Sequence, residues 1–271
     1  MLKKLMSIPV ELYQNRKLIL TLAKNDFKTK YAGSYLGIVW AFIQPIVTIL
    51  VYWFVFGSIF KNGTDRGAPY VLWLVTGLVP WFFLQEGLVS GTNTFIEYNY
   101  LVKKVVFKIS ILPMVKVLSA FFIHVFFLGF VLLLYLAHGM TPDLYYLQVI
   151  YYSFCIFCFV LAVSYLTSSI VVFFRDLTQI INIVLQVGIW MTPIMWAFPD
   201  LNIGEHSLIA SILKLNPMYY IVNGYRTTLI DKIGFWEYPS LTLYFWAITG
   251  VLFLIGITLF RKLKIHFADV L

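Results

Sequence analysis

Charged residues are scarce in this sequence. Asp, Glu, Lys and Arg make up only 12% of the 271 residues, whereas 61% are hydrophobic. A soluble domain carries about 25% charged residues. Several stretches without any charge are longer than a soluble core helix requires. The composition therefore excludes an ordinary soluble protein and predicts an integral membrane protein.

Sequence motifs for catalysis are also scarce. The chain lacks a G-x-x-x-x-G-K-[ST] loop, so it cannot hold nucleotide phosphates in the P-loop manner, and any ATP must bind to another protein. Cys155 and Cys158 have C-x-x-C spacing, but their apolar, charge-free surroundings favour packing over redox or metal chemistry. The histidines are single residues without metal-ligand spacing: His124, His138, His206 and His266. We expect no catalytic residue, no cofactor and no metal in this chain.

The apolar segments predict an all-α fold that spans a membrane. Six segments are long enough to cross a hydrocarbon core of about 30 Å as helices: Leu36–Phe60, Tyr70–Asn93, Val117–Ala137, Leu144–Phe174, Leu177–Phe198 and Leu241–Phe260. The second contains Glu86, which must be buried in protein or lie near the end of the span, because a carboxylate at the bilayer centre is costly. Residues 200–239 contain only short apolar pieces, which favour a re-entrant helical hairpin before the last span.

The first 35 residues differ from the rest because they are basic and amphipathic. Apolar residues such as Ile19 and Phe27 fall on one side of a helix, while most of the lysines fall on the other. We therefore divide the chain into an interface helix (1–35) and a transmembrane domain of six spans (36–271). The helix serves either as an anchor on the membrane surface or also as a contact for a cytosolic partner.

The distribution of Lys and Arg predicts the orientation. Six crossings place both termini on the same side, together with fifteen of the twenty basic residues. Basic residues accumulate on the cytoplasmic side of membrane proteins. Both termini are therefore expected in the cytosol, and the formal net charge of +8 indicates contact with anionic lipid, with no role for nucleic acid.

Five blocks of sequence, in order from about residue 24 to the last residue, carry a resemblance. They are "KNDFKTKYAGSYLGIVWAFIQPIVTILVYWFVF", "NYLVKKVVFKISILP", "FRDLTQIINIVLQVGIWMTPIMW", "LNPMYYIVNGYR" and "RKLKIHFADVL". These blocks resemble the membrane subunit of ABC-type polysaccharide exporters, which move lipid-linked O-antigens, capsular polymers and teichoic acids. The resemblance implies a channel-forming permease in the cytoplasmic membrane of a bacterium. It also implies a homodimer that pairs with two copies of a cytosolic ATP-binding subunit, to which ATP and Mg bind.

The resemblance also implies roles for particular residues. Residues that couple the chain to the ATPase would be Asn99, Lys103, Lys104, Arg175 and Asp176. Residues that line the conduit, where aromatic faces and neutral polar groups suit sugars, would be Tyr35, Trp40, Gln44, Tyr52, Trp53, Trp190 and Trp196. Residues of the re-entrant exit would be Asn216, Pro217, Tyr219 and Arg226. Taken alone, the same residues also fit a solvated basic loop and rings that face lipid.

Two other functions stay open at this point. A membrane-embedded enzyme of lipid-linked sugar metabolism would work without ATP and would depend on one or two polar residues. An ABC permease for drugs or small lipids would share the topology but not the cargo.

Overall fold

The structure is a computed structural model that describes residues 7–33, 35–59, 67–104, 107–197 and 207–271. These ranges contain helices, turns and loops and no strand, as the all-α prediction requires. The helices are α1 (Ser7–Gln14), α2 (Arg16–Tyr31), α3 (Trp40–Tyr52), α4 (Tyr70–Thr92), α5 (Thr94–Glu97), α6 (Asn99–Val102), α7 (Leu112–Ala137), α8 (Gln148–Val171), α9 (Leu177–Met191), α10 (Leu208–Lys214), α11 (Pro217–Arg226), α12 (Pro239–Leu263) and α13 (Phe267–Val270). Parts of the predicted interface helix (1–6 and 34) and of the predicted hairpin (200–206) lie outside the described residues.

Five helical segments are long and apolar enough to cross a membrane. They are Gly37–Ile59, Tyr70–Thr92, Ile109–Ala137, Leu144–Val171 and Pro239–Val270. The remaining predicted span contains α9, whose 15 residues extend only about 22 Å at 1.5 Å per residue. This helix ends because Pro193 disfavours a helical conformation at Thr192, which is extended (φ −91°, ψ 133°). The described residues thus hold five helices of spanning length and one shorter apolar helix, and a sixth crossing stays a prediction.

Helix α4 is the centre of the bundle. It packs against α7, α8, α9 and α11, and 78% of its most apolar stretch is buried, compared with 11% for the first span. A helix that is apolar on all sides must be removed from water, and the surrounding helices do this for α4. The tight contact with α8 depends on small residues, since a Cβ atom at Gly91 would lie 2.1 Å from Ser164 Oγ.

Glu86 lies in the last two turns of α4 and forms an ion pair with Lys30 of α2. The sequence required Glu86 to be buried in protein or to lie near the end of the span, and its position meets the second requirement. The third span begins earlier than expected, because α7 starts at Leu112 and includes Lys116. A lysine is tolerated there because Asp26 and Glu97 neutralise it.

The interface helix packs on the protein. Ile19 and Ala23 of α2 are buried against Ile111 and Val115 at the start of the third span. The apolar stripe recognised in the sequence therefore faces this bundle. After α2 the chain turns into the first span, and Gly37 takes a positive φ of 52° there, which glycine adopts without strain.

Two short helices, α10 and α11, occupy the predicted hairpin region before the last span. The longer one, α11, packs against α4, α8 and α12 and buries most of its residues. Both helices are too short to cross a bilayer. Their lengths agree with the sequence prediction, and their position relative to a membrane stays a prediction.

Candidate functional site

A cavity of about 530 Å³ opens between α3, α4, α7 and α9, beside the end of α2. We call it the span cavity. Among its described lining residues, the formally charged ones are Lys30 and Glu86. The rest of the wall is apolar, aromatic or neutral polar, and the polar groups include Gln85 of α4 and Asn182 of α9.

One stripe of α3 faces this cavity. Trp40, Gln44 and Tyr52 line it, as does Thr48 between them. These residues are four apart, so each is rotated only about 40° from the last along a helix of 3.6 residues per turn. The structure thus brings together three residues predicted for the conduit. Sequence reasoning missed Thr48, which the four-residue spacing of the stripe could have revealed.

The other four residues predicted for the conduit are not among the described residues of this wall. Tyr35 is fully exposed in the turn that precedes α3. Trp53 follows Tyr52 directly and therefore points to another side of the helix. Trp190 is exposed on α9, and its backbone carbonyl accepts a hydrogen bond of 2.9 Å from Trp196 Nε1. A conduit role for these four stays a prediction.

A buried polar chain leads from the span cavity towards α11. His124 of α7 lines the cavity, and its Nε2 lies 3.1 Å from the hydroxyl of Tyr225. The same hydroxyl lies 2.7 Å from Ser153 Oγ on α8. Because buried polar groups are costly unless hydrogen-bonded, this series of hydrogen bonds holds α7, α8 and α11 in a fixed relative position.

Arg226 at the end of α11 is buried, with an exposed fraction of 7%. Its guanidinium donates to the backbone carbonyls of Pro193, Ile194 (2.8 Å) and Trp73 (3.4 Å). It also stacks on the Trp73 ring, with 3.3 Å between Cζ and the ring centroid. Such charge-assisted and cation–π contacts are strong when water is excluded. The predicted exit residue therefore ties α11 to α4 and to the turn after α9.

The other predicted exit residues lie at the start of α11. Asn216 caps the helix, since its side chain accepts from Met218 N at 3.0 Å, and it donates to Thr192 Oγ1 at 2.8 Å. Pro217 is the first helical residue, where proline is favoured. Tyr219 is half-buried on the same helix.

The short helices α5 and α6 form one end of the bundle, together with the turn before α9. We call this surface the coupling face. The five residues predicted for ATPase coupling are all exposed: Asn99, Lys103, Lys104, Arg175 and Asp176. Thr178 Oγ1 donates to Asn93 Oδ1 at 2.8 Å, which places the start of α9 beside α5. The two parts of the predicted docking site are therefore neighbours, and docking itself stays a prediction.

The C-terminal segment supports the coupling face from within. Phe95 of α5 is fully buried, and its ring lies 5.6 Å from that of Phe260 and 5.0 Å from that of Phe267. The tail is thereby packed under the coupling helices.

An ion-pair cluster that sequence reasoning did not identify joins the coupling face to the interface helix. Lys116 Nζ lies 2.5 Å from Asp26 Oδ1 and 2.5 Å from Glu97 Oε2, and the Tyr98 hydroxyl donates to Asp26 at 2.7 Å. We call these four residues the junction cluster. Burial, followed by the Asp26 carboxylate, raises the pKa of Tyr98, so this phenol remains a donor. Two features of the sequence could have revealed the cluster: Asp26 is an acidic residue in a basic helix, and Lys116 directly precedes an apolar run.

A second cavity of about 580 Å³ lies between α2, the coupling helices and the ends of α4 and α7. We call it the junction cavity, since all four residues of the junction cluster line it. Its wall also includes Tyr100 and Asn25. The two cavities meet at Lys30 and Glu86, which line both.

The chain resembles known transport proteins over most of its length. Residues 17–230 match the family model described as ABC-2 type transporter. The chain is 28% identical over 257 residues to the O-antigen export system permease protein RfbA of Klebsiella pneumoniae, and this alignment covers 94% of the chain and 95% of that protein. It is also 28% identical over 221 residues to the protein of the same name from Myxococcus xanthus, covering 82% and 83% of the two chains.

Proposed function

Because the chain belongs to the ABC-2 type transporter family, we propose that it is the channel-forming permease subunit of an ATP-driven exporter. Its cargo is a lipid-linked polysaccharide of the O-antigen or teichoic acid type, which crosses the cytoplasmic membrane. The similarity to O-antigen export permeases over almost the whole chain carries this proposal, and it favours the O-antigen type of cargo.

The chemistry of the span cavity supports a sugar cargo. Trp40 and Tyr52 offer flat apolar faces, and Gln44, Thr48 and Asn182 offer neutral hydrogen-bonding groups. Burial and the nearby Glu86 raise the pKa of Tyr31, which also lines the cavity, to about 12, so its phenol is uncharged. Apart from the Lys30–Glu86 ion pair, a wall of this kind contacts the apolar face and the hydroxyl groups of a sugar without fixed charges that would hold it in place.

ATP binds to a separate subunit on the coupling face. Lys103 and Lys104 give this face a positive charge. Arg175 and Asp176, at the adjacent start of α9, enlarge the face without changing its net charge. The predominance of basic residues supports a cytosolic position for this end of the bundle and for both termini. The chain acts as a homodimer with two ATP-binding subunits. The low burial of the first span supports this assembly, because it leaves α3 open to a second copy.

The proposed function is tested by transport in vesicles. The chain and its ATP-binding subunit are reconstituted with lipid-linked polysaccharide in the outer leaflet, and ATP is added outside. We expect the polymer to become protected from an impermeant glycosidase only with ATP, and not with a hydrolysis-defective ATP-binding subunit.

The alternatives give different results in the same vesicles. Chemical conversion of the lipid-linked sugar without ATP would indicate an enzyme. ATP-dependent movement of a fluorescent phospholipid analogue, with no protection of the polymer, would indicate a permease for small lipids and would overturn the proposal.

A further inference from the structure

The ion pair between Lys30 and Glu86 occupies the boundary between the two cavities. Both side chains line the junction cavity and the span cavity, and Val89, Ala120 and Ile123 complete the shared wall. On one side of this boundary lies the junction cluster. On the other lies the aromatic stripe of α3. The two charged side chains thus lie where the walls of the two cavities coincide.

This pair differs from the ion pair in the junction cluster in how far it is buried. Lys30 and Glu86 retain exposed fractions of 39% and 37%, whereas Lys116 and Asp26 retain only 9% and 10%. A half-exposed ion pair contributes little to stability and separates easily, while a buried pair is costly to break. The structure therefore combines a fixed joint with a contact that can open.

The fixed joint holds α2, the helix that carries Lys30, against Lys116 of α7, and a hydrogen bond from Tyr98 links the same joint to the coupling face. Asp26 lies one helical turn before Lys30 on α2, and it binds Lys116 and Tyr98. Because Tyr98 lies between α5 and α6, a displacement of the coupling helices moves Asp26 and the end of α2 with it. Lys30 then moves relative to Glu86, which is held on the buried α4.

We propose that the Lys30–Glu86 pair is a gate that closes the passage from the junction cavity to the span cavity, and that movement of α5 and α6 opens it through the junction cluster. The inference rests on the proposed function, which gives the junction cavity its cytosolic side. It adds a residue pair that controls access to the conduit.

The gate is tested by thiol labelling, which requires no transported cargo. Thr48→Cys places a single reactive thiol in the span cavity, in a background where Cys155 and Cys158 are replaced by Ala. The full chain with its ATP-binding subunit, in inside-out vesicles without ATP, is treated with a membrane-impermeant sulfonated maleimide. Glu86→Gln removes the ion pair and keeps the size of the side chain.

We expect Glu86→Gln to raise the labelling rate of the Thr48→Cys thiol about fivefold. This is the increase in the population of the open gate that follows from losing an exposed ion pair at the upper end of the usual range of strengths. The charge exchange Lys30→Glu/Glu86→Lys should restore slow labelling. Asp143→Asn is the matched control, because it removes the ion pair between Asp143 and Lys232, whose side chains are 28% and 51% exposed. Neither residue is among the described residues that line the two cavities. This control should leave the labelling rate unchanged.

Equal labelling rates with and without the Lys30–Glu86 pair would overturn the gate. Faster labelling in right-side-out vesicles as well would also overturn it, since the effect would then not come from the cytosolic passage. If Glu86→Gln does not reach the membrane, Lys30→Gln carries the same test. A failed polymer transport assay would contradict the proposed function and leave the labelling result intact, so the two failures are distinguishable.

Discussion

Replacing Lys116 by Met should destabilise the protein strongly. Lys116 and Asp26 are 9% and 10% exposed, and the distance between Nζ and Oδ1 is 2.5 Å. Removing one partner of a buried ion pair leaves the other charge buried without compensation, which costs about 3–5 kcal/mol. Glu97 adds little, because its side chain is 49% exposed and screened by solvent. The unfolding equilibrium constant should therefore rise on the order of 10²–10⁴-fold.

The assay is reversible unfolding in mixed micelles, followed by the fluorescence of the eight tryptophans. Lys232→Met is the matched control, because it also removes a lysine from an ion pair, but one that is half-exposed. We expect it to change the free energy of unfolding by about 1 kcal/mol or less. The double variant Asp26→Asn/Lys116→Met removes both charges and keeps an acceptor for Tyr98, so it should recover most of the lost stability.

Two results would refute this reasoning. If Lys116→Met and Lys232→Met destabilise the protein equally, burial does not determine the strength of the junction. If the double variant is as unstable as Lys116→Met, the cost comes from lost packing of the lysine side chain and not from the unpaired carboxylate.

Three further predictions concern transport and coupling. Trp40→Leu and Tyr52→Leu should reduce ATP-dependent protection of the polymer more than Trp53→Leu does, because they remove ring faces from the span cavity; equal effects of all three would contradict this. Reversing charge in the double variant Lys103→Glu/Lys104→Glu should weaken co-purification with the ATP-binding subunit without preventing membrane insertion, since most of the basic residues on that side remain; wild-type stoichiometry would argue for a merely solvated loop. The purified chain alone should not hydrolyse ATP, because its sequence has no phosphate-binding loop, and hydrolysis by a pure preparation would disprove the division of labour.

The sequence by itself determined five of the segments that form helices long enough to cross a membrane. Apolar length decides whether a helix partitions into lipid, and this property is local to each segment. Five helices of spanning length and the short helices α10 and α11 agree with what the residue pattern predicts, whereas the sixth apolar segment forms only the shorter α9. The apolar stripe of α2, which the sequence assigned to the membrane surface or to a cytosolic partner, packs on the start of the third span. Even the early end of α9 has a local cause in the Thr192–Pro193 pair. The family, too, could be recognised from ordered blocks of sequence.

Only the tertiary structure decided which side chains meet. Lys116 and Asp26 are 90 residues apart, and Lys30 and Glu86 are 56 apart, so no local periodicity predicts either pair. Tyr52 lines the span cavity and its neighbour Trp53 does not, although both are aromatic residues in one apolar run. The hydrophobic effect is non-directional and places both rings out of water equally well. Which of them faces the cavity depends on how α3 packs against α4, α7 and α9, and that packing is a property of the whole bundle.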